Sequence, residues 1–201
     1  MIVGLDHLSL NVKTKKIFNK GMAKYQKIYK KKKINHKEKK KFLKLDIKNH
    51  HIGFYNIDKN FPPIEMTFYR NSNLNAQRII VKKNIIKLNV SSKKKEFFFW
   101  EKVFNLKEKG NIIDFFSFYD KKKYKFHFRE SIIKKKDYLD SLGFTSICFI
   151  TTDLKKKFKS CNDFNIEISN IFKFKLNQKK MKIFFCRSPG GIIFEIIQYY
   201  L

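Results

Sequence analysis

A short alternating pattern returns three times in this chain, and it constrains the fold more than any other feature. The phrase LDHLSLNV (residues 5–12) is echoed by IIKLNV (85–90) and TSICFI (145–150). Apolar residues alternating with other residues at a period of two mark a half-buried strand. Each copy opens a segment that reads strand, helix, strand, strand, strand. The chain is therefore expected to contain three copies of one supersecondary unit. Only the first copy carries a histidine, His7, at its third position.

In the first unit, residues 5–12 read as a strand. Thr14 can cap a helix whose stripe is Phe18, Met22, Tyr25 and Tyr29, at three- and four-residue spacing. The lysine run 30–33 is expected to end that helix, and 37–41 to be a solvated loop or hairpin. Residues 42–47, 51–57 and 64–69 read as strands, with Pro62 and Pro63 breaking the chain before the last. The polar stretch 71–78 is the expected linker. Beyond it, 85–90 is a strand, Ser91 or Ser92 caps a helix lined by Phe98, Val103 and Leu106, and Asn105 ends it in a left-handed cap. Residues 112–119 and 124–128 follow as strands. In the third unit, 144–151 is a strand and Asp153 caps a helix with Leu154, Phe158 and Cys161 on one face. Strands are expected at 166–174, 181–186 and 192–199, the last two joined by a tight turn at 188–191.

Composition narrows the class. With 43% hydrophobic and 31% charged residues, the 201-residue chain can bury a core, and it allows one large domain or an ordinary domain plus a half-sized addition. The formal charge of +29 suggests nucleic acid or anionic membrane at first sight. Nearly all of it is lysine, however, and arginine, the preferred group for bidentate phosphate and guanine contacts, stands only at Arg70, Arg78, Arg129 and Arg187. With no groove-reading motif, nucleic-acid binding is not expected, and Phe115, Phe116 and Phe118 are better read as core. The lysine surface remains compatible with an acidic or phosphorylated substrate. Cys148, Cys161 and Cys186 are odd in number and far apart, which suggests neither a disulfide framework nor a thiolate zinc site. No apolar run is long enough for a bilayer, and Asp6 and His7 interrupt the first apolar stretch, so neither membrane span nor signal peptide is expected and a cytoplasmic location is the default.

The residues that carry a resemblance are now in view. Phe99-Trp100 with Val103-Phe104-Asn105, then Leu142-Gly143-Phe144 followed by Thr152-Asp153-Leu154, then Arg187-Ser188-Pro189-Gly190-Gly191 with Phe194-Glu195-Ile196 stand in the order of one domain of the vicinal oxygen chelate superfamily. That superfamily includes glyoxalase I, methylmalonyl-CoA epimerase, the fosfomycin and bleomycin resistance proteins and the extradiol dioxygenases. Asp6-His7-Leu8-Ser9-Leu10 and Ile64-Glu65-Met66 resemble a further half-domain. The resemblance implies an α+β fold of βαβββ modules forming curved mixed sheets, three modules in the chain: a half-domain at 1–70, a linker at 71–78, and a two-module glyoxalase-like domain at 79–201. An odd module must then pair with a second chain or with the flank of the other two.

In that superfamily a divalent metal sits in the cleft, held by His and Glu from the first and last strands of each module. Carried across by position, the ligands are His7 and Glu65 in the first module. The second offers Ile85, with His127 and Glu130 near its Glu position. The third offers Ser146 and Glu195. The implied metal ligands are thus His7, Glu65 and Glu195, with Glu65 as the proton-moving carboxylate and zinc, nickel, iron or manganese as the ion. Two arrangements stay open: a homodimer in which His7 and Glu65 of both chains share one ion, or an intrachain site of His7, Glu65 and Glu195. The implied activity is lyase, isomerase or epimerase chemistry on a small oxygenated substrate through a chelated enediolate or enolate. The alternative is a non-catalytic, resistance-type binder with an apolar cleft and a degenerate metal site.

Overall fold

A computed structural model of the chain describes residues 1–24, 26–56, 61–119, 121–133, 135–176 and 179–200. The first unit comprises β1 (Ile2–Asn11), α1 (Lys15–Lys24), β2 (Gln26–Ile34), a 3-10 helix (Lys37–Phe42), β3 (Asn49–Asn56) and β4 (Ile64–Phe68). The middle unit has β5 (Ile79–Lys82), β6 (Ile85–Val90), α2 (Lys93–Phe99) continued by a π-helical turn (Trp100–Phe104), β7 (Ile112–Phe116) and β8 (Lys123–Glu130). The third has β9 (Gly143–Thr151), α3 (Leu154–Asn162), β10 (Phe172–Leu176), β11 (Lys179–Arg187) and β12 (Ile193–Tyr200). The strands join into one 12-stranded mixed sheet, so the fold is α+β.

The pairing of units differs from the expectation. In the first unit β4 lies parallel to β1, with β3 and β2 beyond it. The third repeats this, with β12 parallel to β9 and β11 and β10 beyond. These two units are joined by β1 and β9, antiparallel along nearly their whole length. The run is therefore β2-β3-β4-β1-β9-β12-β11-β10, two βαβββ modules back to back. The sequence reading instead joined the middle unit to the third and left the first unpaired. The physical reason lies in β6. Its outer edge is taken by β5 in a hairpin from Ile79↔Leu88 to Lys82↔Ile85, and only two strands follow α2. The middle unit thus reads ββαββ rather than βαβββ, and its leading strand has no edge left to offer β9. It attaches to β9 by the single pair Ile79↔Phe144.

Two local expectations also yield. The helix read through Tyr29 ends at Lys24 and β2 starts at Gln26, with Tyr25 outside the described residues. A continued helix would stack lysines at 27, 30 and 31 and at 30 and 33, three and four residues apart, where like charges repel, whereas β3 offers a full antiparallel edge from Gln26↔Asn56 to Ile34↔Asn49. Lysine on an edge strand also discourages further pairing. With β2 in place, the strand expected at 42–47 is not needed. The lysine-rich connector forms the 3-10 helix instead, with Phe42 fully buried at its end. Phe115 is core as expected, but Phe116 is 54% exposed. The caps fall where they were read: Ser92 accepts from Lys95 N, Asp153 from Lys156 N, and Asn105 adopts φ 59°. All three cysteines are buried and unbridged.

The core has two clusters, one on each face of the sheet. β9 shows the division, because Ile147 and Phe149 enter one and Cys148 and Ile150 the other. The first centres on Trp100, whose ring lies 5.2–5.8 Å from those of Phe104, Phe126, Phe128, Phe149 and Phe194. Its indole Nε1 donates to Glu96 Oε1 (2.9 Å), and Glu96 Oε2 accepts from Gly190 N (2.7 Å). A buried carboxylate thereby ties α2 to the turn before β12. A Cβ at Gly190 would collide with that carboxylate and come within 2.8 Å of Val90 Cβ. Gly190→Ala is expected to cost about 1–3 kcal/mol through overpacking, read as a lower denaturation midpoint with an unchanged slope.

Candidate metal centre

The second face carries the site. Ser9 pairs with Glu65 and Cys148 with Glu195, while His7 stands two residues before Ser9 and Ser146 two before Cys148. The two modules are thus related position for position: Glu65 corresponds to Glu195, and His7 to Ser146. Because β1 and β9 pair, both halves face one point. His7 Nε2 lies 3.7 Å from Glu65 Oε2 and 3.8 Å from Glu195 Oε2, all three side chains being buried. The set is intrachain. A site shared between two chains through β1 would need a free edge on that strand, and both of its edges are bonded, to β4 and β9.

A bulge at the start of β1 builds the support for His7. Leu5 pairs with Phe149 and His7 with Cys148, so Asp6 is the extra residue. Asp6 Oδ2 lies 2.6 Å from His7 Nδ1. Its other oxygen, Oδ1, accepts from the hydroxyls of Tyr119 (2.8 Å) and Tyr199 (3.3 Å). With Nδ1 held by Asp6, the ring directs Nε2 toward the two glutamates, and an ion that displaces the Nε2 proton would find its lone pair aimed at the same point. Phe54 meets the ring edge-on at 5.1 Å. Ser9 Oγ donates to Glu65 Oε1 (3.3 Å). Tyr119 comes from the middle unit, whose turn after β7 is laid on β1 by the bond from Phe118 N to Leu5 O (2.9 Å). Gly4 permits this approach, since a Cβ there would stand 2.8 Å from the Phe118 backbone.

The structure brings the expected His7, Glu65 and Glu195 together and places beside them Asp6, Tyr119, Tyr199 and Lys39, which sequence reasoning did not name as site residues. The Asp6-His7 dipeptide inside an apolar strand was the available signal for Asp6. Nothing in the sequence pattern brings Tyr119 or Lys39 here. The other candidates lie elsewhere. Glu130 accepts from Lys93 N at the start of α2, and His127 sits on β8 in the middle unit. Of the remaining histidines, His50 stacks on Tyr69 at 4.9 Å, and His36 caps the 3-10 helix and stacks on Phe172 at 4.2 Å.

The electrostatics are those of a crowded, dry cluster. Burial alone would lower the pKa of His7, but the Asp6 hydrogen bond and the charges of Glu65, Asp6 and Glu195 outweigh it and raise it to about 9. Glu195 is raised to about 7, first by burial and then by the charge of Glu65, against the pull of His7 and Lys39. Both groups keep protons in the folded protein that the unfolded chain releases at lower pH, near 4.5 for Glu195 and 6.5 for His7. The stability these protons lend is full below those lower values and is lost as pH rises through about 7 and then about 9. In thermal melts with chelator, the wild type is expected to lose more stability between pH 6 and pH 9 than His7→Gln does. Equal slopes would count against the cluster.

The residues fit a divalent ion. His7 Nε2 and Ser146 Oγ are buried without hydrogen-bond partners, and one nitrogen and two carboxylate donors lie within 4.8 Å of one another. The gaps of 3.7 and 3.8 Å are too long for hydrogen bonds. A second grouping, Asp6, His7 and Cys148, is a poorer donor set. Burial pushes the Cys148 thiol well up, and Asp6 is engaged by the tyrosines.

Around the centre, Ser9, Lys39, Tyr69, Leu139, Ser146 and Phe185 help enclose a cavity of about 10 Å³, roughly one water in size. Phe42 and Leu43 are buried on this face with Tyr69, Leu139 and Phe185. The open apolar cleft expected of a resistance-type binder is therefore absent from this region among the described residues.

The sequence matches no protein-family model and no curated protein. Among solved structures the chain is similar to methylmalonyl-CoA epimerase from Mycobacterium tuberculosis, with 8% identity and a TM-score of 0.45 over 100% of this chain and 91% of that one. It is similar to glyoxalase I from Zea mays, with 12% identity and a TM-score of 0.39 over 98% and 68%. It is also similar to an integron cassette protein from V. cholerae, with 23% identity and a TM-score of 0.40 over 65% and 98%. The paired βαβββ order of the sheet is that of the glyoxalase-like, vicinal oxygen chelate fold, and the chain has this fold. No helix among the described residues is long and apolar enough to cross a membrane.

Proposed function

We propose that this chain is a metal-dependent lyase, isomerase or epimerase acting on a small oxygenated substrate, with His7, Glu65 and Glu195 holding a divalent ion. The observation that carries this reading is the buried His7 Nε2, unbonded and turned toward two glutamates that strand pairing places 3.7 and 3.8 Å away. Once bound, such an ion supplies Lewis-acid stabilisation to a substrate with two neighbouring oxygens. One imidazole and two carboxylates suit zinc, nickel, iron or manganese, and differ from the two-histidine, one-carboxylate set of non-haem iron oxygenases. This favours proton transfer over oxygen chemistry.

The chain's own residues would divide the work. Asp6 holds the His7 tautomer. Ser9 holds Glu65 by its Oε1. A carboxylate of the pair can move the proton on the carbon beside the substrate oxygens, the role that the resemblance implies for Glu65. A groove of about 350 Å³, lined in part by Lys44, Lys135, Lys136, Gln77 and Tyr138, backs onto the segment whose Leu139 lines the site cavity. No carboxylate among the described residues lines it, although Lys136 pairs with Glu167 (2.8 Å), and its lysines suit a substrate carrying a carboxylate or phosphate.

Elemental analysis of purified wild type and His7→Ala tests the reading. One divalent ion per chain, lost in His7→Ala, is expected. An ion that survives His7→Ala would refute it.

A further inference from the structure

The cavity at the candidate metal centre contains a cation that the metal reading does not use. Lys39 is the only Lys or Arg lining it among the described residues, and it faces the same space as Glu65 and Glu195. Its Nζ lies 5.6 Å from the ring centre of Tyr69 and 5.9 Å from that of Phe185, so two aromatic faces collar the ammonium. It is delivered by the 3-10 helix Lys37–Phe42, which is pinned as a strap across this face of the sheet. Phe42 is buried, with its ring 5.7 Å from that of Phe185, and its carbonyl accepts from Leu139 N (2.9 Å). Asp140 accepts from Lys44 N and Leu45 N, and Glu38 from Asn170 N. With the strap in place, the space beside the glutamates is about 10 Å³, enough for a water and too little for an organic substrate.

Two neighbouring carboxylates in a buried cavity need positive charge. A tethered ammonium and a divalent ion in one such cavity repel each other strongly, because screening is weak there. We propose that Lys39 is a built-in counter-cation for the Glu65–Glu195 pair, that it competes with a divalent ion for this cavity, and that entry of the ion drives the strap off and opens the site. The proposal rests on the metal reading above. It makes access to the site depend on the ion: the charge that would assist the chemistry also displaces the residue that closes the door.

The test is binding of Zn²⁺ alone, by competition with a chromophoric chelator at fixed pH. Wild type, Lys39→Met and Lys39→Arg are compared, with amide hydrogen exchange over residues 36–45. Lys39→Met keeps the stem between the rings and removes the charge, and Lys39→Arg keeps the charge. Zn²⁺ is expected to bind Lys39→Met at least tenfold more tightly than wild type, and Lys39→Arg like wild type. Exchange in the strap is expected to quicken when Zn²⁺ is added to wild type. Equal affinity in all three overturns the competition and leaves the metal centre standing. A strap that stays equally protected with Zn²⁺ overturns the gating. If no variant binds Zn²⁺, the metal centre itself fails, and this proposal with it.

Discussion

Trp100→Ala is expected to cost about 3–5 kcal/mol, enough to unfold much of a protein whose whole stability is of order 5–15 kcal/mol. Trp100 is fully buried where the helix of the middle unit meets the sheet of the third, against Phe149 of β9 and Phe194 of β12. Truncation leaves a cavity bounded by five phenylalanines and removes the indole proton that Glu96 accepts. Glu96 is wholly buried, and desolvation already raises its pKa. The loss thus combines a cavity with a weakened buried carboxylate. Trp100→Phe restores most of the volume without the donor and is expected to fall between. Urea unfolding monitored by circular dichroism reads both. Near-native stability for Trp100→Ala would mean that the middle unit does not dock on the third through this residue.

Asp6→Asn is expected to weaken Zn²⁺ binding about 10–100-fold while leaving the fold intact. Asp6 is not within the His7, Glu65 and Glu195 set, but it fixes His7 through Nδ1 at 2.6 Å and contributes to raising the pKa of His7 to about 9. With an uncharged amide in its place, the His7 pKa should fall, and NMR titration of the His7 ring reads that directly. A purely structural Asp6 would change melting temperature without moving the His7 titration. Tyr119→Phe removes the 2.8 Å bond that orients Asp6 through Oδ1 and should weaken Zn²⁺ binding by less than Asp6→Asn, without the fall in the His7 pKa, because the Asp6 charge remains. Such a result would make the middle unit part of the site's support, although it supplies none of the three candidate ligands.

Much of the local structure was legible because it depends on near neighbours in the chain. The alternation at 5–12 and 145–150 became β1 and β9. Asp153 and Ser92 cap helices because a short polar side chain before a helical run can accept from an orphan N–H. Asn105 takes a left-handed conformation that a β-branched residue would resist. The resemblance brought His7, Glu65 and Glu195 forward because each stands in an apolar strand, where a polar group needs a reason. The boundary between α1 and β2 was not legible, because the stripe of aromatic residues suited a helix until β3 supplied an edge to pair with.

Sequence alone therefore marked the leading strands β1 and β9, the starts of α2 and α3, and three side chains that could form a donor set. Only the tertiary structure decided which modules pair. That outcome depends on whether a strand edge is already occupied, and β6 had given its edge to β5 while β1 and β9 had theirs free for each other. From that one choice followed the meeting of Glu195 with His7 and Glu65. The bulge that turns Asp6 onto His7, the loop that brings Tyr119, and the strap that carries Lys39 are likewise a slip in register or contacts between residues far apart in the chain. Such contacts leave no periodic trace in a sequence, because their energy comes from burial and pairing that exist only once the strands of distant segments have come together.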